Sequence, residues 1–221
     1  MNVDIKKESL ERVTFLIGSS GAGKSTLLNY LTEENNLTLT EDINGALMLK
    51  SKRPVAVIGT GSGSTTLIPN IIPIGHMQST FIDCAGDFDT GGTLAEAMNA
   101  IVKYKISLNV KEARILFVTP QALLGATGNY GKDIKEMLDK NALFLNDITR
   151  FNDSIAFIVS HAGRAKNTHE IVKKSISNML TNGTANLGNY HDTVCNVLEQ
   201  EKASAFSKIA TLSKPDDEAD Y

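Results

Sequence analysis

One glycine-rich stretch, GSSGAGKS from Gly18 to Ser25, limits what this chain can fold into more than any other feature. It follows the apolar run VTFLI, which begins at Val13, and it precedes the helical pattern STLLNYL. A GxxxxGKS loop between a strand and a helix is the Walker A pattern, whose backbone N–H groups and helix N-terminus cradle phosphates. The residues predicted to bind the phosphates are Gly18, Ser20, Gly21, Ala22, Gly23, Lys24, Ser25 and Thr26.

Within this loop, two side chains have distinct predicted roles. Lys24 is expected to reach the β- and γ-phosphates, and the Ser25 hydroxyl is expected to bind Mg²⁺. The alternative is a glycine-rich turn that begins a helix and binds nothing. The strand before the loop and the helix after it favour phosphate binding.

A second motif, FIDCAGDFDTGG, ends another apolar run. Asp83 has the position of a Walker B carboxylate, which holds Mg²⁺, usually through water. Gly86 completes a DxxG pattern, and its backbone N–H is predicted to bind the γ-phosphate. An ordinary aspartate before a turn would match the same letters, but the distance from the Walker A loop favours the functional interpretation.

Between these motifs lies the hydroxyl-rich stretch GTGSGSTTLIP, where a switch loop is expected. Thr66 is predicted to offer Mg²⁺ its hydroxyl and the γ-phosphate its backbone N–H, with Ser64 and Thr65 as alternatives. The other interpretation is a surface loop, since hydroxyl-rich loops are common.

The remaining pattern predicts an α/β fold with a mostly parallel sheet flanked by helices in three layers, as in P-loop NTPases. Four continuous apolar runs predict strands covered on both faces; they begin at Val13, Thr80, Arg114 and Ile155. Prolines limit LIPNIIPIG to an edge or bulged strand. Helical spacing is found at Leu94, Ala97, Met98, Ile101 and Val102, in the stretch DIKEMLDKNALFLNDI, from Ile171 to Leu180 and from Val194 to Leu212. The predicted organisation is an N-terminal extension (1–11), a P-loop domain with a helical C-terminal part (12–212) and an acidic tail (213–221).

Composition excludes several classes of protein. The 221-residue chain has a net charge of −3, so no nucleic-acid partner is expected. Two cysteines, Cys84 and Cys195, make no disulfide framework. The charged start MNVDIKKESLERV does not resemble a signal peptide, and no apolar run approaches the ~20 residues that cross a bilayer. A cytoplasmic location without membrane contact is expected.

The order of the motifs resembles the G domains of septin-like GTPases, namely septins, immunity-associated GTPases and chloroplast import-receptor GTPases. The resemblance runs from Arg12 to Ser160 and rests on the Walker A loop, on the S-x-T-x-x-P pattern from Ser64 to Pro69, and on DCAGDFDTGG. It implies that the chain binds GTP and GDP with Mg²⁺ and acts as a switch. It also implies that two copies can pair across the nucleotide face.

The expected guanine-reading motif, [NT]KxD, is replaced by Ser160-His161-Ala162-Gly163. Ser160 and His161 are predicted to lie at the base, but no aspartate is present to read guanine, so an ATPase or a base-promiscuous NTPase stays an alternative. Asp87 stands where Ras-like GTPases have a water-orienting Gln. Hydrolysis is therefore expected to be slow. Arg53 and Arg164 are the candidates for an arginine finger, and a solvated surface charge is the alternative for each. A nucleotide-binding pseudo-GTPase that acts as an interaction module is the third interpretation.

Overall fold

The computed structural model describes residues 11–32, 37–41, 47–58, 69–86, 92–121, 136–137, 139–141, 154–162, 177 and 209–213. The described residues up to Arg114 form one compact unit, and those from Ile115 to Ser213 form the other. The elements are β1 (Arg12–Ile17), α1 (Lys24–Thr32), β2 (Leu37–Glu41), β3 (Leu47–Ser51), β4 (Asn70–Ile74), β5 (Ser79–Asp83), α2 (Gly92–Ser107), β6 (Glu112–Pro120), β7 (Ile155–Ala162) and β8 (Ile209–Ser213). Strand pairing is mostly parallel, which confirms the predicted α/β fold with flanking helices.

In the first unit, the strands β4, β5 and β1 lie side by side in that order. Strands β1 and β5 are parallel, and Leu16 lies opposite Asp83. Both strands therefore end at the same edge of the sheet, which is where ligands bind in open α/β sheets. This register brings the loop after β1 next to the loop after β5. Strands β2 and β3 form a separate antiparallel pair.

The strands that carry the two motifs are buried along nearly their whole length. In β1 every residue after Arg12 is buried, and in β5 every residue after Ser79 is buried. Continuous burial on both faces is what a continuous apolar run predicts for a strand inside a layered sheet. The prediction of strands at Val13 and Thr80 is therefore confirmed.

The proline-containing stretch forms β4, at the end of the strand order. Pro73 lies opposite Thr80 of β5 in an antiparallel pairing. A proline has no N–H to donate to a second neighbouring strand, so β4 can end the sheet without losing a ladder hydrogen bond. The predicted edge strand is confirmed.

The helix α2 forms where the sequence predicts it, but members of its predicted apolar stripe are exposed. Met98 and Ile101 are 47% and 55% exposed. The buried side chains of the described part of α2 are Asn99, Lys103 and Ile106. The Asn99 amide donates a 3.4 Å hydrogen bond to the Ala85 carbonyl, so the buried side faces the loop after β5. No helix in the described part of the chain is long and apolar enough to cross a membrane.

In the second unit, β7 pairs in parallel with β6 on one side and with β8 on the other. The rings of Phe117 and Phe157 stack with centroids 5.6 Å apart, and both side chains are buried. The predicted strands at Arg114 and Ile155 are thus confirmed as β6 and β7.

The helix predicted from Val194 to Leu212 is wrong in its last residues. Ile209–Ser213 is strand β8, which hydrogen-bonds to β7 from Phe157 onward. The periodicity of apolar residues alone does not distinguish a short strand from the end of a helix. Here the backbone hydrogen bonds to β7 make this segment a strand. The rest of that predicted helix, and the helix predicted from Ile171 to Leu180 except residue 177, lie outside the described residues.

The stretch DIKEMLDKNALFLNDI is described only at residues 136, 137 and 139–141, which are helical. Met137 is buried, as its place in the predicted apolar stripe requires. The predicted domain boundaries at residues 11 and 212 stay predictions.

An exposed ion pair precedes β1 and β6. Lys111 donates a hydrogen bond to the Glu11 carboxylate, and this bond and charge lower the pKa of Glu11. The stabilisation from this carboxylate is therefore present above its unfolded pKa and is lost as the pH falls through its folded pKa. We expect Glu11→Gln to lower the unfolding midpoint slightly at neutral pH and low salt, and to have no effect in acid or in high salt. Thermal unfolding across pH measures this, with Glu41→Gln as the control; an effect of Glu11→Gln that persists in acid would contradict it.

Candidate functional site

The loop between β1 and α1 has the backbone shape that its glycines predict. Gly21 and Gly23 have φ angles of 73° and 91°, in the left-handed region that other residues rarely adopt. The Ala22 N–H donates to the Ser19 carbonyl at 3.2 Å, which closes the turn before α1 begins at Lys24. The loop therefore ends in a helix N-terminus, where backbone N–H groups without helical partners can bind an anion.

The Lys24 side chain folds back over this loop and hydrogen-bonds to two of the loop's carbonyl groups. Its ammonium donates hydrogen bonds of 2.9 Å to the carbonyl oxygens of Gly18 and Ser19. Only 7% of the residue is exposed, so the positive charge is kept at the loop. An ammonium group carries three hydrogen-bond donors, so Lys24 could also donate to the oxygens of a phosphate bound in this loop.

Two oxygen groups meet beside the loop. The Ser25 hydroxyl, in the first turn of α1, donates to Oδ2 of Asp83 at 3.0 Å. Asp83 is fully buried at the end of β5. Mg²⁺ takes oxygen ligands, and nucleotide sites hold it with one or two side chains plus phosphates and water. This pair fits such an ion, although the described residues hold no group of three or more carboxylate, His or Cys ligands.

Gly86 packs directly against the phosphate-binding loop. A Cβ atom at this position would lie 2.6 Å from the backbone nitrogen of Ser20 and 2.7 Å from its Cα. No side chain fits there without moving backbone, so the glycine of the DxxG motif is required by the close approach of two loops. The structure thus brings the first and second predicted motifs into contact.

Ser160 and His161 lie at the end of β7, in the second unit. The Ser160 hydroxyl is buried and has no hydrogen-bond partner in the part of the chain that is described. His161 is exposed, with a left-handed φ of 51°. A buried hydroxyl without a partner costs about 1–3 kcal/mol, so this one is suited to a polar ligand.

The structure brings together Gly18, Ser20, Lys24, Ser25, Asp83 and Gly86 in the first unit. Arg53 is exposed in the same unit. Several predicted residues lie outside the described residues: Ser64, Thr65, Thr66, Asp87 and Arg164.

Sequence reasoning missed Asn29, whose side chain is fully buried in α1. Its amide donates 2.7 Å hydrogen bonds to the carbonyl oxygens of Ser25 and Ala56, and its oxygen accepts from the Val55 N–H at 2.9 Å. Asparagine is a weak helix former, so its place after two leucines in STLLNYL is the one signal that a tertiary contact holds it.

The fold and this site define a P-loop nucleotide-binding protein. Residues 13–196 match the family model described as 50S ribosome-binding GTPase, so the chain belongs to this family of P-loop GTPases and has a GTP-binding G domain. No curated protein matches the chain. A solved structure, the signal recognition particle receptor SRb-GTP/SRX complex from Chaetomium thermophilum, is similar at 19% identity. The match covers 92% of this chain and 89% of that chain, with a TM-score of 0.44.

Proposed function

We propose that this protein is a Mg²⁺-dependent GTP switch with slow GTP hydrolysis. The observation that carries the proposal is the 3.0 Å hydrogen bond between Ser25 and Asp83, which joins the phosphate-binding helix to the DxxG strand. Both groups offer oxygen to a cation, and the Lys24 ammonium lies at the loop that would hold the β- and γ-phosphates. The metal would neutralise phosphate charge when bound.

The switch itself depends on the γ-phosphate. The Gly86 N–H and Thr66 are the proposed contacts, and they are made only with a triphosphate. Gly86 lies against Ser20 of the phosphate-binding loop. A small movement of the loop that carries Gly86 would therefore change the hydrogen-bond donors that face the phosphates. Loss of the γ-phosphate would release this loop, which would report the state of the nucleotide to a partner.

Slow turnover is proposed from the chemistry of the sequence. Asp87 stands where a water-orienting Gln would be expected, and its negative charge would repel the γ-phosphate. Acceleration would then come from a partner or from a second copy that pairs across the nucleotide face, as the septin-like resemblance implies. A cytoplasmic location is part of the same proposal.

The base end supports a second candidate function. The segment Ser160-His161-Ala162-Gly163 has no acid to pair with guanine, which favours a base-promiscuous NTPase or ATPase if Ser160 and His161 do not discriminate. The Ser160 hydroxyl is buried and has no hydrogen-bond partner among the described residues, which supports its proposed contact with the base.

These functions are separated by the affinities of the wild-type protein for GTP, GDP and ATP, measured with Mg²⁺ and again with a chelator, and by its rate of GTP hydrolysis. We expect tight guanine-nucleotide binding, with ATP at least about tenfold weaker, or ~1.4 kcal/mol. Equal affinity for GTP and ATP would overturn the guanine assignment. Nucleotide binding without hydrolysis, even at high protein concentration, would favour the pseudo-GTPase interpretation. If no nucleotide binds, the remaining interpretation is an interaction module without a nucleotide.

A further inference from the structure

The side chain of Asn29 joins the helix of the phosphate site to a second segment of the first unit. Asn29 lies one helical turn after Ser25, and it is fully buried. Its amide donates to Ser25 O and to Ala56 O, both at 2.7 Å, and its oxygen accepts the Val55 N–H at 2.9 Å. Both amide hydrogens and the amide oxygen are therefore engaged, so the side chain has one orientation.

Among the described residues, side chains at two further positions of α1, besides Lys24, hydrogen-bond to segments outside the helix. At its first turn the Ser25 hydroxyl binds Asp83 of β5, and one turn later Asn29 binds the backbone at Val55 and Ala56. Val55 is 41% exposed, so burial of apolar surface stabilises this segment only in part. Buried hydrogen bonds of this kind fix geometry because breaking one leaves a group without a partner.

We infer that Asn29 is a positioning residue for Ser25 and Asp83, the two proposed Mg²⁺ ligands. This inference rests on the proposed Mg²⁺-dependent nucleotide binding. Mg²⁺ demands near-ideal octahedral geometry, so a small shift of α1 against β5 weakens its site more than it weakens phosphate contacts from a flexible lysine. Asn29 holds α1 against such a shift without touching metal or nucleotide.

The test compares Asn29→Asp with Asn141→Asp. Asn141 is an equally buried helical asparagine in the second unit, and its amide also donates a 2.7 Å hydrogen bond to the carbonyl four residues earlier, at Met137. Both changes put a carboxylate next to carbonyl oxygens, so both lower stability. We expect only Asn29→Asp to raise the Mg²⁺ concentration at half-maximal GTP affinity, by about tenfold, a typical size for coupling between two sites.

Affinity for GTP in chelator should change equally in the two variants, and Asn29→Ala should repeat the shift in Mg²⁺ requirement. If Asn29→Asp leaves this requirement unchanged, or if Asn141→Asp raises it as much, the inference is wrong. A wild-type protein without Mg²⁺-dependent GTP binding would instead overturn the proposed function, and the inference with it.

Hydrogen exchange of the wild-type protein tests the coupling even if the Asn29 variants do not fold. The Val55 amide, which donates to Asn29, should exchange more slowly with GTP and Mg²⁺ than with GTP and chelator. Equal exchange in the two conditions would overturn the inference.

Discussion

Replacement of Lys24 by alanine should lower the affinity for both GTP and GDP by about 100-fold or more, since charge-assisted hydrogen bonds contribute about 1.5–3 kcal/mol each. The ammonium is kept at the loop by the carbonyl groups of Gly18 and Ser19, so little reorganisation is needed when phosphates arrive. Removal of the side chain also frees these two carbonyl oxygens, which would repel phosphate oxygens. Titration with both nucleotides in Mg²⁺ measures the loss.

The matched control for this change is Lys50→Ala. Lys50 is an exposed lysine of β3 in the same unit, so its removal changes the net charge by the same amount. It should leave both affinities within about twofold, because an exposed charge is screened by salt. If Lys24→Ala binds like the control, the lysine does not hold the phosphates and the proposed site is wrong.

Replacement of Gly86 by alanine should weaken GTP binding by about 10–100-fold, in line with the about 1–3 kcal/mol that overpacking costs. The added methyl group would lie 2.6 Å from the Ser20 nitrogen, and neither backbone can give way without moving a loop. The loop after β5 would move away and take the Gly86 N–H with it. GDP affinity should fall less, because that N–H is proposed to serve the γ-phosphate alone.

Gly75→Ala is the control for the alanine substitution at Gly86. A Cβ atom at Gly75 has nothing within 4 Å, so the methyl group meets no neighbour. The readout is the ratio of GTP to GDP affinity, which should fall in Gly86→Ala and be unchanged in Gly75→Ala. An unchanged ratio in both variants would mean that Gly86 does not sense the γ-phosphate.

The strand, glycine loop and helix of the predicted phosphate site could be predicted because they depend on local patterns. A glycine loop, a lysine and a hydroxyl at fixed spacing need only one strand before them and one helix after them. Asp83 was also predictable, because an acid at the end of a buried apolar run lies at the edge where parallel strands end. The structure adds the distances and the contact of Gly86 with Ser20.

Features that depend on a distant partner could not be predicted in the same way. The buried side of α2 contains Asn99 and Lys103, and the Asn99 amide hydrogen-bonds to the Ala85 carbonyl in the loop after β5. The strand β8 forms on β7, where its sequence had predicted the end of a helix. Asn29 is buried against Val55 and Ala56, which hydrogen-bond to its side chain and lie far along the chain.

The sequence by itself determined the class of fold, its buried strands and the glycine loop that precedes α1, since each follows from spacing and composition within short segments. The tertiary structure decided which side of α2 is buried, where the last described strand pairs, and how α1 is held beside Asp83. The physical reason is that hydrogen bonds and burial are properties of pairs of groups. A short segment specifies its own half of each pair, and only the folded chain supplies the other half.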